Sequence, residues 1–214
     1  MMMLYNALWA MNKLSIYIKI TLLIGLSFSV NASNLEKGKE LSAACIACHG
    51  QEGVSPNSIW PNLAGQHASY LSKQLYEFKK GPNGNRNNSV MYGISMNLSD
   101  QDISDLSEYY ASLDSYVGTT ADEYLTIGQN IYRGGNMEYK IQACIACHGP
   151  TGKGNGPAKI PSLSGQHADY LYTQLKNFQS SVRSNDPNKM MRNIVHRMTD
   201  EEPKAVSEYI QGLY

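Results

Sequence analysis

The chain carries one unit twice. The hexapeptide CIACHG stands at Cys45–Gly50 and again at Cys144–Gly149. GQHASYLSKQL, from Gly65, returns as GQHADYLYTQL from Gly165, and LSDQDISDLSEYYASL, from Leu98, is matched by MTDEEPKAVSEYIQGL from Met198. The three blocks keep their order at an offset of 99 residues for the first and 100 for the others, so one inserted residue reconciles them. Self-similarity of this kind is a tandem duplication. Each copy has about 90 residues, small for a unit that must build its interior from side chains alone. A large apolar cofactor at the centre of each copy would supply the missing core.

The periodicity predicts an all-α fold. Leu35 to Ala44 leads as a helix into the first cysteine motif. Ala68 to Lys80 places Leu71, Leu75 and Phe78 at helical spacing and stops at Gly81-Pro82. Asp100 to Leu113 follows Ser99, a good N-cap, and sets Ile103, Leu106 and Tyr110 on one face. The second copy predicts helices over Glu123–Tyr132, Ala168–Phe178 and Asp200–Leu213, the last after Thr199. These expectations give domains at 33–113 and 122–214, joined by a linker at 114–121 that contains Gly118, Thr119 and Thr120.

Residues 1–32 read as an address label. Lys13 and Lys19 precede an apolar run from Ile20 to Val30, and Val30-Asn31-Ala32 presents small residues where a signal peptidase would cut after Ala32. The competing reading, a membrane anchor, would need roughly 20 apolar residues. Met11 begins a more typical signal than Met1. Export would place the mature protein in an oxidising compartment, where four cysteines suggest disulfides. Their spacing says otherwise.

C-x-x-C-H marks attachment of a c-type haem: two thiols bond the haem vinyl groups and the histidine ligates iron. Cys45, Cys48 and His49 are assigned to one haem, and Cys144, Cys147 and His148 to the other. Zinc would want a fourth ligand at a sensible spacing, a redox C-x-x-C would want a βαβ context, and a disulfide would not require the histidine twice. For the second axial ligand, of the methionines only Met91 and Met191 stand in the same column of the repeat. Packing filler is the bland alternative for a methionine. Met96 with His196 is the runner-up pair, and the recurrent His67 and His167, at a helix start, are expected to cap or pack. Pro61 and Pro161, 12 and 13 residues after the two motif histidines, could offer carbonyls to the other imidazole nitrogen, or simply make turns.

Taken together, the C-x-x-C-H pairs, WPNLAGQHASYL, IPSLSGQHADYL, the YRGG at Tyr132–Gly135 and the ending SEYIQGLY resemble the di-haem cytochrome c4 family, part of the class I cytochromes c. The likeness runs from about Leu35 to Tyr214. It implies two class I domains packed face to face, with His49 and Met91 on one iron and His148 and Met191 on the other. It also implies the Pro61 and Pro161 carbonyl contacts, a periplasmic and often membrane-associated protein, and delivery of electrons to a terminal oxidase. The loop before Met91 is shorter than the family leads one to expect, and His196 stands where a small residue is expected.

The function expected from these observations is one-electron transfer in a respiratory chain by a monomer that is not an enzyme. A haem subunit of a dehydrogenase, or a di-haem peroxidase, is the alternative. Lysine plus arginine equals aspartate plus glutamate at 18 each, which argues against a nucleic-acid binder. Residues 33–113 carry six basic and eight acidic side chains and residues 122–214 ten and nine, so the halves are expected to dock different redox partners.

Overall fold

The computed structural model describes residues 33–214, which form one compact unit. The export-signal reading falls on residues 1–32 and lies outside the described residues. The first half contains α1 (Leu35–Leu41), α2 (Ile46–His49), α3 (Ala68–Lys79), α4 (Ser89–Ser95) and α5 (Asp100–Ala111). The second contains α6 (Asp122–Gly134), α7 (Ile145–His148), α8 (Ala168–Gln179), α9 (Met190–Val195) and α10 (Glu202–Gln211). Among the described residues no strand is present, and extended backbone pairs only in isolated bridges.

Each half packs its first and third-from-last helices on its last one: α1 and α3 lie against α5, and α6 and α8 against α10. The apolar stripes read from the sequence supply the contact. Leu71, Leu106 and Tyr110 form the buried cluster of the first half. Leu171, Phe178, Val206, Tyr209 and Ile210, with Ile131 and Tyr132 from α6, form that of the second. The crossing of first and last helix is made at a glycine in both halves. A Cβ on Gly38 would stand 2.2 Å from the Asp105 carbonyl oxygen, and one on Gly128 2.3 Å from that of Ala205.

All six expected helices form within two residues of their predicted ends, except that the last turn of the first, Ser42–Ala44, tightens to a 3-10 turn. The sixth differs in how it starts. It begins at Glu202 rather than Asp200, and Thr199 does not cap it. Proline is the reason. In the first half the Ile103 N–H closes the first turn onto the Ser99 carbonyl at 3.0 Å, and Ser99 forms a capping box with Asp102. The equivalent residue is Pro203, which has no N–H to give, so the helix starts later with the proline in its first turn.

The halves are joined by a reciprocal polar clasp built from the repeated GQH motif. The Gln66 side chain bonds both backbone groups of Ser162, and Gln166 those of Asn62. His67 Nε2–H donates to the Lys153 carbonyl at 2.7 Å, and His167 Nε2–H to that of Ser55 at 3.0 Å. The recurrent histidines therefore hold the halves together; both sit as the residue before a helix without capping it by side chain.

Candidate functional site

Each C-x-x-C-H motif folds as one helical turn. The His49 N–H returns to the Cys45 carbonyl at 2.9 Å and the His148 N–H to that of Cys144 at 3.0 Å. That turn brings the two thiols of a motif to one side, as residues three apart on a helix must be. Gly50 and Gly149, at φ +78° and +79°, end it in a conformation that only glycine adopts freely. The four cysteines are unpaired, and among the described residues no group of three or more His, Cys, Asp or Glu is placed to hold a metal ion. Disulfide and zinc readings therefore find no support.

Both motif histidines are buried, each 7% exposed. Nδ1 of His49 lies 2.9 Å from the Pro61 carbonyl, and Nδ1 of His148 lies 3.0 Å from that of Pro161. A carbonyl can only accept, so Nδ1 carries the proton in both rings and the lone pair is left on Nε2, the tautomer a metal ligand needs. Burial holds both imidazoles below their usual pKa, against the opposing effect of the proline carbonyls, which keeps them neutral. Burial likewise pushes the Cys45 thiol up, and that of Cys144 up to about 12. Both sit against the apolar cores, where a neutral sulfur is well placed and a thiolate is not.

Met91 and Met191 lie in α4 and α9, short helices that are not among the six expected from periodicity. Asn88 caps α4 by accepting the Met91 N–H at 2.9 Å. In the second half Asp186 does related work, accepting the Arg192 N–H at 3.0 Å and its Nε–H at 2.7 Å. Both methionines are half-buried, and Met191 packs against the second core. Their neighbours Val90 and Met190 are 62% and 44% exposed, Met96 is 46% exposed, and His196 is exposed with Nδ1 turned to its own helix. The runner-up pair thus points to solvent in both halves.

The donor set of each half is two unpaired cysteines one turn apart, a neutral buried imidazole with Nε2 free, and one half-buried thioether. It fits a covalent haem c and little else. The fold and the paired motifs define a tandem of c-type haem domains. The cytochrome c family model matches residues 35–114 and 128–214. Cytochrome c4 of Thiocapsa roseopersicina is 46% identical over 173 residues, 80% of this chain and 88% of the relative. The crystal structure of reduced recombinant cytochrome c4 from Pseudomonas stutzeri superposes with a TM-score of 0.82 at 38% identity, covering 86% of this chain and all of that one. A protein named thiosulfate dehydrogenase electron acceptor, from Thiomonas intermedia, is 37% identical over 79% of this chain and 78% of its own. The chain belongs to the cytochrome c4 family, and it holds two covalent haem c groups.

Proposed function

We propose that the chain is an exported one-electron carrier of a periplasmic respiratory chain, with residues 1–32 its cleaved signal and 114–121 the linker between haem domains 33–113 and 122–214. Cys45 and Cys48 would hold one haem and Cys144 and Cys147 the other. His49 with Met91, and His148 with Met191, would be the axial ligands, with Pro61 and Pro161 orienting the imidazoles. Haem c held this way supplies a one-electron couple, raised in potential by the sulfur ligand, with no open position for a substrate.

One observation carries the reading: the same neutral imidazole and the same half-buried thioether recur in equivalent positions of both halves. A site with both axial places filled by the chain itself favours transfer over peroxide chemistry. The chain's part is to keep that ligand set fixed. The proline carbonyls pin the rings, the cores pack Cys45 and Cys144, and the clasp holds one half against the other.

The test is a spectroelectrochemical titration of the purified holoprotein under carbon monoxide. Two one-electron waves with no carbon monoxide uptake are expected, and ready binding at both ferrous centres would sink the proposal. A terminal oxidase is the proposed acceptor. A second reading, electron acceptor of a dehydrogenase, is favoured by the 37% identity to the thiosulfate dehydrogenase electron acceptor. Co-purification with a dehydrogenase, and reduction by its substrate only when that enzyme is added, would select it.

A further inference from the structure

The two haem motifs have the same sequence, CIACHG, but different neighbours at their first cysteine. In the first half the last helix, α5, brings Tyr110 into the core beside Cys45. In the second half that column of the repeat holds Ile210, and the phenol packed with Cys144 comes from Tyr132 on the first helix, α6. At the offset of 90 that aligns Gly38 with Gly128, the residue equivalent to Tyr132 is Ser42. Each half thus sets one tyrosine at its first cysteine, from opposite helices. All four side chains, Ser42, Tyr110, Tyr132 and Ile210, are buried.

The two hydroxyls are used differently. That of Tyr132 donates to the Gly149 carbonyl at 2.6 Å. That of Tyr110 is buried and has no hydrogen-bond partner among the described residues. A buried donor without an acceptor is costly, and native cores keep few of them. Nor can the ring swing away. A Cβ on Gly53 would stand 3.0 Å from its edge, the Tyr109 ring lies tilted against it at 5.2 Å between centres, and the Tyr110 carbonyl accepts the Gly65 N–H at 3.0 Å. The group the hydroxyl faces is the Cys45 sulfur. Burial first, and then Cys45, hold the Tyr110 hydroxyl above its usual pKa, while hydrogen bonding from Tyr110 draws the Cys45 thiol down against the larger effect of burial. Ser42 is the rival acceptor; its own proton goes to the Lys39 carbonyl at 2.7 Å.

We propose that Tyr110 tunes the first haem alone, its hydroxyl donating to the Cys45 sulfur once that sulfur is the haem thioether. Attachment replaces the thiol proton by carbon, so the sulfur can then only accept, and the phenol packed against it is a donor without other employment. The bond draws electron density from the sulfur and so from the haem, which favours the ferrous state; hydrogen bonding around a haem is one of the means by which a protein sets its potential. The second haem has no such donor, because Tyr132 is committed to Gly149 and Ile210 has no proton to give. Tyr110 thereby contributes a difference in potential between two haems held by identical motifs. The inference rests on the two-haem assignment, which a pyridine haemochrome checks separately.

The test is redox titration of the holoprotein carrying Tyr110→Phe, which removes one oxygen and leaves the ring. One of the two one-electron waves should move to lower potential, its ferric-to-ferrous ratio at fixed ambient potential rising about two- to threefold, while the other wave stays in place. No movement, or equal movement of both waves, overturns the proposal. Tyr132→Phe strands the Gly149 carbonyl, so it should lower the thermal midpoint and leave both waves where they are. A shift of the second wave as large as that produced by Tyr110→Phe would end the one-sided assignment. Ser42→Ala should also leave both waves unmoved; a fall matching that of Tyr110→Phe would give the hydroxyl to Ser42 and defeat the proposal. Thermal unfolding adds a readout independent of the potentials. A hydroxyl bonded to the thioether makes the Tyr110→Phe midpoint hold or fall, whereas an orphaned hydroxyl makes it rise, and a rise rejects the sulfur contact.

Discussion

The side chain of Gln166 pairs with the backbone of Asn62 as a neighbouring strand would, its Oε1 accepting the Asn62 N–H at 2.9 Å and its Nε2 donating to the Asn62 carbonyl at 2.9 Å. Gln66 does the same to Ser162, at 2.9 and 2.8 Å. All four of these residues except Ser162 are buried, so each removed carboxamide strands a backbone N–H and a carbonyl away from water. Gln66→Ala and Gln166→Ala should each cost about 1–3 kcal/mol per group left unpaired. The double variant should split the unfolding of the holoprotein into two calorimetric transitions, one for each half. A single sharp transition at the unaltered midpoint would show that the clasp holds nothing.

The glycine crossings give a second expectation. Gly38 and Gly128 let α1 and α6 approach the last helix of each half so closely that a methyl group would fall inside backbone contact distance, 2.2 and 2.3 Å from carbonyl oxygens. Backbone cannot swing aside as a side chain can. Gly38→Ala and Gly128→Ala should therefore lose about 1–3 kcal/mol or more, as overpacking does, despite alanine's better helix propensity. Urea unfolding of the holoprotein measures it, and an increase in stability at either site would contradict the crossing geometry.

These two features mark where the sequence could be read and where it could not. The duplication, the haem motifs and the long helices follow from spacing alone, because periodicity and C-x-x-C-H are local. The equivalence of Gly38 and Gly128 is hidden from a single offset. Seven residues separate Gly38 from Cys45 but 16 separate Gly128 from Cys144, so the first helices align at an offset of 90 rather than 99. The short helices bearing Met91 and Met191, seven and six residues long, are too brief to show an amphipathic period. Gln66 and His67 recur as plainly as the cysteines, yet their partners lie in the other half, and no pattern within one copy can name them. A repeated polar motif that the cofactor does not use was the available signal for an interface.

The axial ligands are open to direct measurement. Met91→Ala and Met191→Ala should each remove about half of the ferric sulfur-to-iron absorption band and lower the potential of the haem in the same half, because methionine ligation raises it. The double variant should lose the band altogether. Met96→Ala and Met190→Ala, at exposed positions, should leave it unchanged. Survival of the band in the double variant would transfer the role to other residues.

The proline that delays α10 makes two equivalent residues unequal. The Ser99 hydroxyl accepts the Asp102 N–H at 3.1 Å, and the Asp102 carboxylate returns to the Ser99 N–H at 2.9 Å. Thr199 gives only its backbone N–H, to Glu202 at 2.8 Å, which any residue could do. Ser99→Ala should thus cost about 1 kcal/mol, the usual loss for a cap, while Thr199→Ala stays close to neutral. The Ser99 contribution should also depend on pH. Hydrogen bonds from the Ser99 side chain and backbone hold the Asp102 carboxyl below its ordinary pKa. A carboxylate depressed in the folded state stabilises above its unfolded value, and that stabilisation is lost as pH falls through the folded one. The difference between Ser99→Ala and the unaltered protein, measured by urea midpoints, should therefore be largest at neutral pH and shrink in acid. An equal loss at both pH values would mean that the hydroxyl cap acts without the carboxylate.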